Sequence, residues 1–368
     1  MKRNQTNVAL SQALRAIIVP VLFLMLGATG ARAYERDETL QKSIPLQGAV
    51  RIVVTNSRGD VKVIGEKGRS DISCEYTKRI RGRDQDEADR LFNLMDIDVT
   101  REGGGLKISA RYPDRSGGDR NILAFLMQHY AGLSIDMNIL VPSRLDVEIV
   151  SSSGDVQLAS ILGAAEITSA SGDVEATGIG GDLKIDVSSG DITVSGVAGK
   201  AFLSSASGDI EAHYIKGAAG VQASSGDIVL TEIGGDLTAA SASGDVTAEG
   251  VRGVVFSGTS GSARFTGVRG GVTAAVASGD IEVGASPESP ANYEIRTSSG
   301  QIELRFELAP KGGFALKAQT TSGDISMSLP IKVTKVSRHT ITGIVREGKS
   351  IVVLETASGD ITVSEPEE

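Results

Sequence analysis

The chain has 368 residues, 45 of them Gly, with no Trp, one Cys, three His and 4% aromatics; 46 acidic residues outnumber 37 basic ones, for a formal charge of −9. A polyanion of this kind repels nucleic acid and acidic lipid, and the single thiol, Cys74, excludes an internal disulfide framework or a multi-cysteine metal centre. So few aromatics argue against a large ligand pocket, because such pockets are usually lined by them.

In chain order, residues 1–33 read as a signal peptide. Lys2, Arg3 and Arg15 form a basic start, Ala16 to Leu26 is almost wholly apolar, and Ala31-Arg32-Ala33 places small residues where a signal peptidase reads, before Tyr34. The apolar run is about half the roughly 20 residues of a membrane span and Pro20 interrupts it, so no transmembrane span is expected after cleavage. Without Lys2, Arg3, Arg15 and Arg32 the remainder holds 33 basic and 46 acidic residues, net −13. The expected location is periplasmic, cell-surface or secreted.

Residues 34–142 read as a β-rich cap with one helix. Val50 to Val54 and Val61 to Val63, joined through Ser57-Arg58-Gly59-Asp60, spell a first coil with one inserted residue. Asp84 to Met95 is the expected helix, acid-rich at its start as the helix dipole prefers, with Leu91, Leu94 and Met95 as its apolar side. A strand over Leu106–Ala110 follows. Ile122 to Leu133 is the most apolar stretch beyond the export segment and reads as buried cap core or, through Phe125, Leu126 and Tyr130, as an exposed partner-binding or membrane-surface patch.

From 143 to 285 a repeat dominates. Ser-Gly-Asp recurs with its glycine at Gly154, Gly172, Gly190, Gly208, Gly226 and Gly244, at one unvarying interval; it slips by one at Gly261, where Ser262 replaces the aspartate, and resumes at Gly279. A second glycine column, Gly163, Gly181, Gly199, Gly217, Gly235, Gly253 and Gly270, lies half a period away and shares the slip. Between the columns apolar residues alternate with polar ones, as in Leu183, Ile185 and Val187 and then Ile192 and Val194, which is the mark of half-buried strands. Stacking the units aligns aliphatics: Val156, Val174, Ile192, Ile210, Ile228, Val246 and Ile281 form one column. The fold these patterns predict is an all-β parallel β-solenoid, or β-helix, with two-strand coils of about 18 residues and a small α/β N-terminal cap. One coil cannot stand alone: ordering its residues costs about 1–2 kcal/mol each, more than its few aliphatics return, so stability belongs to the stack. Residues 286–368 read as irregular C-terminal coils, with looser copies of the turn at Gly300, Gly323 and Gly359.

The strands Asp136-Met137-Asn138-Ile139-Leu140-Val141-Pro142 and Asp146-Val147-Glu148-Ile149, followed by Ser-Gly-Asp-Val repeats, resemble the bacterial putative-adhesin family of β-strand-repeat-containing domains of unknown function. The resemblance implies a β-helical rod in or beyond the cell envelope, without known catalytic activity, and it supplies no catalytic residues.

Among residues that could carry chemistry, the aspartate column Asp155, Asp173, Asp191, Asp209, Asp227, Asp245 and Asp280 stands out. Carboxylates one coil apart repel by about 0.9 kcal/mol in bulk water, so something must offset them. Backbone N–H groups of each aspartate's own turn are the expected answer; calcium between coils is the weaker one, since calcium-binding rolls need two such ladders and a different spelling. No metal, cofactor or catalytic residue is expected. Arg58-Gly59-Asp60 spells a receptor-read tripeptide but sits where the repeat demands Gly-Asp. His129, His213 and His339 lie too far apart in sequence to suggest a triad or zinc site. Outward positions of the later coils, Thr238, Ala240, Val255, Ser257, Thr273 and Ala275, are small and uncharged and make a flat face able to dock a glycan, a cell-wall polymer or an envelope protein. The functional expectation is a non-enzymatic adhesin-like or scaffold surface. The alternatives are a β-helix polysaccharide lyase or hydrolase and an envelope sensory or regulatory protein.

Overall fold

The structure is a computed structural model that describes residues 34–82, 85–113, 132–307, 313–346 and 350–365. Residues 1–33, read above as a signal peptide, and residues 122–131, with Phe125, Leu126 and Tyr130, lie outside the described residues; Leu133, the last of the apolar stretch, packs against the cluster of Ile80, Ala88, Leu91 and Phe92. The chain divides into two compact units, one through Gly172 and one from Asp173.

The second unit is a β-solenoid of two facing parallel sheets. Each coil gives one strand to each sheet: Leu183–Ser189 pairs with Ala201–Ser207, and Ile192–Val197 with Ile210–Ile215, in both cases with its own copy in the next coil. The one-residue slip first shows where Leu237 pairs with Val254, runs through Val246 with Ala263, and is gone where Val254 pairs with Val272. Alternation does the sorting: Leu183, Ile185, Val187, Ile192, Val194 and Val197 are all buried, while Lys184, Asp186 and Thr193 face out. Beside the Ser-Gly-Asp turn the inward row is mostly small, with Ser205, Ala223 and Ser241 buried.

The turn itself explains its glycine. Gly226 has φ +119°, and a Cβ on it would lie 2.2 Å from the Gly208 carbonyl oxygen of the preceding coil. Two constraints therefore act together, a left-handed backbone and a stacking distance that leaves no room for a methyl group. At the opposite turn Gly217 has no positive φ, yet its Cβ would meet the Gly199 oxygen at 2.4 Å. There only the close approach selects glycine.

The C-terminal coils are not stacked in chain order. Ser350–Ser358 lies between Tyr293–Ser299 and Phe314–Ser322, parallel to both, and Ile361–Ser364 lies between Ile302–Phe306 and Ile325–Ser328. The chain thus leaves a slot one strand wide in each sheet, makes the outermost coil, turns back through the antiparallel hairpin Ile331–Ser337 and Thr340–Val345, and then fills the slot. Aromatics thicken the core here: Tyr293 meets Phe306 edge-on at 5.6 Å, and Phe306 meets Phe314 at 5.2 Å. Without a hydrogen-bond partner for its buried hydroxyl, the Tyr293 phenol is pushed up to about 12 by burial.

The first unit begins with the same coil. Arg51–Asn56 and Val61–Glu66 pair in parallel with Asp146–Ser151 and Val156–Ala159. Beyond them the pattern changes to antiparallel. Tyr34–Pro45 pairs with Asp71–Gly82, which pairs with Ser134–Pro142, while on the other sheet Asp96–Glu102 and Gly105–Arg111 form a hairpin. The helix runs Gln85–Leu94 and lays Ala88, Leu91 and Phe92 on Ile80. Ala88, Leu91, Phe92 and Met95 follow the i, i+3, i+4, i+7 spacing of one face. Leu94, expected on that face, is exposed instead, since it falls about 100° away from Met95.

Phe92 is also held by charge. The Arg36 guanidinium lies 4.1 Å and the Lys78 ammonium 4.4 Å from its ring centroid. Arg36 pairs with Asp89 at 2.7 Å, and Asp89 also accepts from the Tyr34 hydroxyl at 2.9 Å. Lys78, almost fully buried, pairs with Glu38 at 3.5 Å. Nearby, Asp96 accepts from Lys42 at 2.8 Å and from the Tyr76 hydroxyl at 2.6 Å. Burial opposes ionisation of Asp96, but these two donors outweigh it and hold its carboxyl below the usual range.

Candidate functional site

Two surface features run along the coils, an aspartate ladder at one turn and a flat outward face. The ladder is built from the Ser-Gly-Asp turn, where the positive-φ glycine presents the aspartate toward the next coil. Oδ1 of Asp173 accepts the backbone N–H of Asp191 at 2.9 Å; Asp191, Asp209 and Asp227 do the same at 2.8 Å for Asp209, Asp227 and Asp245. The partner lies one coil on, which corrects the expectation that each aspartate bonds within its own turn. A turn this tight aims the carboxylate along the stack. The bonds therefore fasten coil to coil and oppose the repulsion along the ladder.

The pattern survives its interruptions. Asp245 accepts from Ser262 at 2.8 Å and Asp280 from Gln301 at 2.7 Å, because the donor is backbone and any residue supplies it. In the first unit Asp60 accepts from Asp155 at 3.0 Å, and Asp60 itself donates its N–H to Asp136 at 3.1 Å. Arg58-Gly59-Asp60 is thus one more rung. Asp136 fills a rung without the Ser-Gly-Asp spelling, so no repeat in the sequence points to it. A shorter series at the opposite turn was also missed: Asp146 accepts from Ala164 and Asp182 from Lys200, each at 2.8 Å. Its sequence signal was the aspartate next to the second glycine column. Among the described residues no group of three or more His, Cys, Asp or Glu is placed to hold a metal ion.

The outward face belongs to the second unit. Register rows run Thr238, Val255, Thr273, Glu294 and Ala240, Ser257, Ala275, Arg296. Thr238, Val255, Ser257, Thr273 and Ala275 are exposed and Ala240 half-exposed. The small rows end at a charged group: Arg296 pairs with Glu294 and, at 3.0 Å, with Glu355, which Lys317 also reaches at 2.6 Å. Hydrogen bonds from Lys317 and then Arg296 hold the Glu355 carboxyl below its ordinary range. An open depression of about 600 Å³ joins the two chemistries, lined by Ser257, Ala275, Arg296, Gln319, Thr321 and Glu355 among others. Small side chains such as Ser257, Ala275 and Ala277 and polar ones such as Arg296, Gln319 and Glu355 both line it. None of Arg296, Gln319 or Glu355 was singled out in the sequence, because strands inserted out of order bring them together.

His213 is on an outward position beside Glu211, 2.8 Å away, and Tyr214 follows it in a left-handed backbone at φ +58°. His339 sits by the turn of the C-terminal hairpin, and His129 lies outside the described residues. Cys74 is fully buried and its thiol is pushed up to about 12 by that burial. No helix among the described residues is long and apolar enough to cross a membrane.

With this geometry the chain is a repeat protein whose coils are built for stacking. It belongs to the Toastrack DUF4097 family, whose model matches residues 49–252 and 218–364. No curated protein matches the chain. Among solved structures it is similar to a "putative adhesin" from Bacteroides fragilis, with 14% identity, a TM-score of 0.36 and coverage of 89% of this chain and 97% of that one. A second "putative adhesin", from Parabacteroides distasonis, shares 15% identity with a TM-score of 0.39, covering 72% and 97%. A "putative cell adhesion protein" from Clostridium sporogenes shares 10% with a TM-score of 0.21, covering 91% and 100%. At these scores the likenesses carry neither a ligand nor a role.

Proposed function

We propose that this protein is an exported, non-enzymatic β-solenoid of the cell envelope that presents its outward face to a glycan or cell-wall polymer. The observation that carries the reading is the run of small residues from Thr238 and Ala240 to Thr273 and Ala275, ending at a shallow depression rimmed by Arg296, Gln319, Thr321 and Glu355. Outward rows of methyl and hydroxyl groups suit the face of a sugar ring, and Arg296, Gln319 and Glu355 beside them offer planar donors and acceptors to its hydroxyls. Within this reading residues 34–142 serve as a cap, residues 143–285 as the regular array and residues 286–368 as the end that shapes the depression.

The polysaccharide-lyase or hydrolase alternative would need an acid or base free to move a proton. Glu355, the carboxylate in the depression, is instead kept ionised by two cations, which suits binding more than proton transfer. The experiment is a glycan array and a cell-wall pull-down with the full chain beside Ala275→Arg and Arg296→Ala. Retention lost in both variants, with unchanged melting, supports the face as the site. Retention unaffected by either, or turnover of a retained glycan, would refute it.

A further inference from the structure

The outermost coil of the second unit, Phe314–Ser322 with Ile325–Ser328, does not end both sheets alike. On one sheet the hairpin Ile331–Ser337 and Thr340–Val345 continues two strands past Phe314–Ser322. On the other, Ile325–Ser328 is the last strand, and among the described residues none pairs with its outer edge. The N–H of Ile361 donates to the Asp324 carbonyl at 3.0 Å. The alternation of a parallel ladder then turns the backbone groups of Ile325 and Met327 toward the open edge.

Above that edge the hairpin overhangs. Leu316, Gly343 and Val333 share one register row and Ala318, Ile341 and Val336 another, so the inward face of the sheet carries on across the hairpin. With no strand opposite, Val333 is 45% and Val336 65% exposed, and Ile325, Met327 and Leu329 are only half-buried.

The two edges are treated oppositely. Ile331–Ser337 carries Lys332 and Lys335 and a register shift between Val333 and Lys335, devices that keep foreign strands off. Ile325-Ser326-Met327-Ser328 has neither charge nor bulge. From Ile331 to Arg346 there are four cations and no acid, in a chain of net charge −9. Arg346 reaches Glu365, whereas Lys332, Lys335 and Arg338 are exposed and enter no ion pair among the described residues.

We propose that this open edge takes up an extended, acidic segment of another polypeptide by strand addition. Its backbone would pair with Ile325 and Met327, its alternate apolar side chains would fill the shelf under Ile341, Val333 and Val336, and its carboxylates would be drawn by the uncompensated cations of the hairpin. A lipid surface would answer the charge but not the unpaired backbone. A symmetric pair of copies would set like charges against each other. The proposal is independent of the glycan reading of the outward face.

The test uses the full chain and two fluorescein-labelled eight-residue peptides, one alternating valine with glutamate and one alternating valine with lysine. Anisotropy should saturate with the glutamate peptide at least tenfold more tightly than with the lysine peptide, weaken as salt is raised, and be accompanied by slowed amide exchange at Ile325 and Met327. Met327→Pro removes an outward N–H while sparing the bonds on the inner edge, and should weaken binding at least tenfold. Val333→Asp with Val336→Asp should do the same from the overhang, with unchanged exchange over Ile192–Val197 reporting that the fold is intact. Equal binding of both peptides, or an affinity that survives both variants, overturns the proposal. A concentration-dependent dimer abolished by Met327→Pro overturns it in favour of a second copy, and capture by phosphatidylglycerol vesicles without peptide binding overturns it in favour of lipid.

Discussion

The N-terminal cap of the first unit and the C-terminal hairpin of the second both end a parallel ladder with antiparallel strands, yet they finish the core differently. In the cap, Phe92 is fully buried, set between Arg36 and Lys78 and packed with Ile80 and Ala88. In the hairpin, Val333 and Val336 sit on the corresponding inward face and stay exposed. The difference teaches that an end sealed by side chains adds stability, while an end left as an overhang adds a surface. Substitutions at the first should be felt by the fold, and at the second by a partner.

Phe92→Ala should have the largest effect, about 3–5 kcal/mol, because it opens a cavity and strands Lys78 without its ring. The readout is unfolding of the cap as a whole, reported by Cys74, six residues along the strand from Ile80. Cys74 should not react with a thiol reagent at about pH 8 in the native protein, being buried with its pKa pushed up to about 12, and should become reactive in the variant. If Cys74 reacts freely in the unaltered chain, the cap is not the sealed end described.

Gly226→Ala comes next, at about 2–4 kcal/mol by chemical denaturation, since it meets both a left-handed backbone and the Gly208 oxygen. Gly48→Ala is its control: φ is +82° but no atom lies within 4 Å, so the loss should be about 1 kcal/mol. Equal losses would show that the stacking distance contributes nothing.

Acid should weaken the cap of the first unit. Asp96 and Asp89 have carboxyls held below the usual aspartate range, Asp96 by Lys42 and Tyr76 against the opposing effect of burial, Asp89 by Arg36 and then Tyr34. A lowered folded pKa means that the unfolded chain binds the proton more readily, so this stabilisation is whole above about pH 4 and is lost as pH falls through the folded values. Melting followed from about pH 6 to about pH 2.5 should show the cap weakening below about pH 4, and Asp96→Asn should flatten part of that slope.

Asp227→Ala should cost about 1 kcal/mol, because its bond to the Asp245 N–H is exposed and the lost repulsion between neighbours compensates in part. Added calcium should leave the melting temperature of the unaltered chain unchanged; a rise of several degrees would make the ladder a cation site. Val336→Ser, at the exposed overhang, should lie within about 0.5 kcal/mol of the unaltered protein.

What could be read before any coordinates was whatever repeats. A strand whose partner is always its own copy one period away has its register, its inward face and its turn glycines written into that period, and Ile192, Ile210 and Ile228 align for that reason. The helix was legible through its acidic start and apolar spacing, although Leu94 was assigned to the wrong side. The outward row from Thr238 to Ala275 followed from simple alternation. The charged end of the depression did not, because Arg296, Glu355 and Gln319 are neighbours only once residues 350–358 have entered between 293–299 and 314–322.

The sequence by itself therefore determined the coil, the stacking period and the residues that must be glycine, since each is a relation between a residue and its own copy. Tertiary structure alone decided the order of the terminal coils and the direction in which each aspartate bonds. It alone also decided which sheet edge stays open. Those choices are made among strand edges of nearly equal local chemistry, and only the packed ends, with a helix and paired charges at one and a lysine-bearing hairpin at the other, separate them in energy.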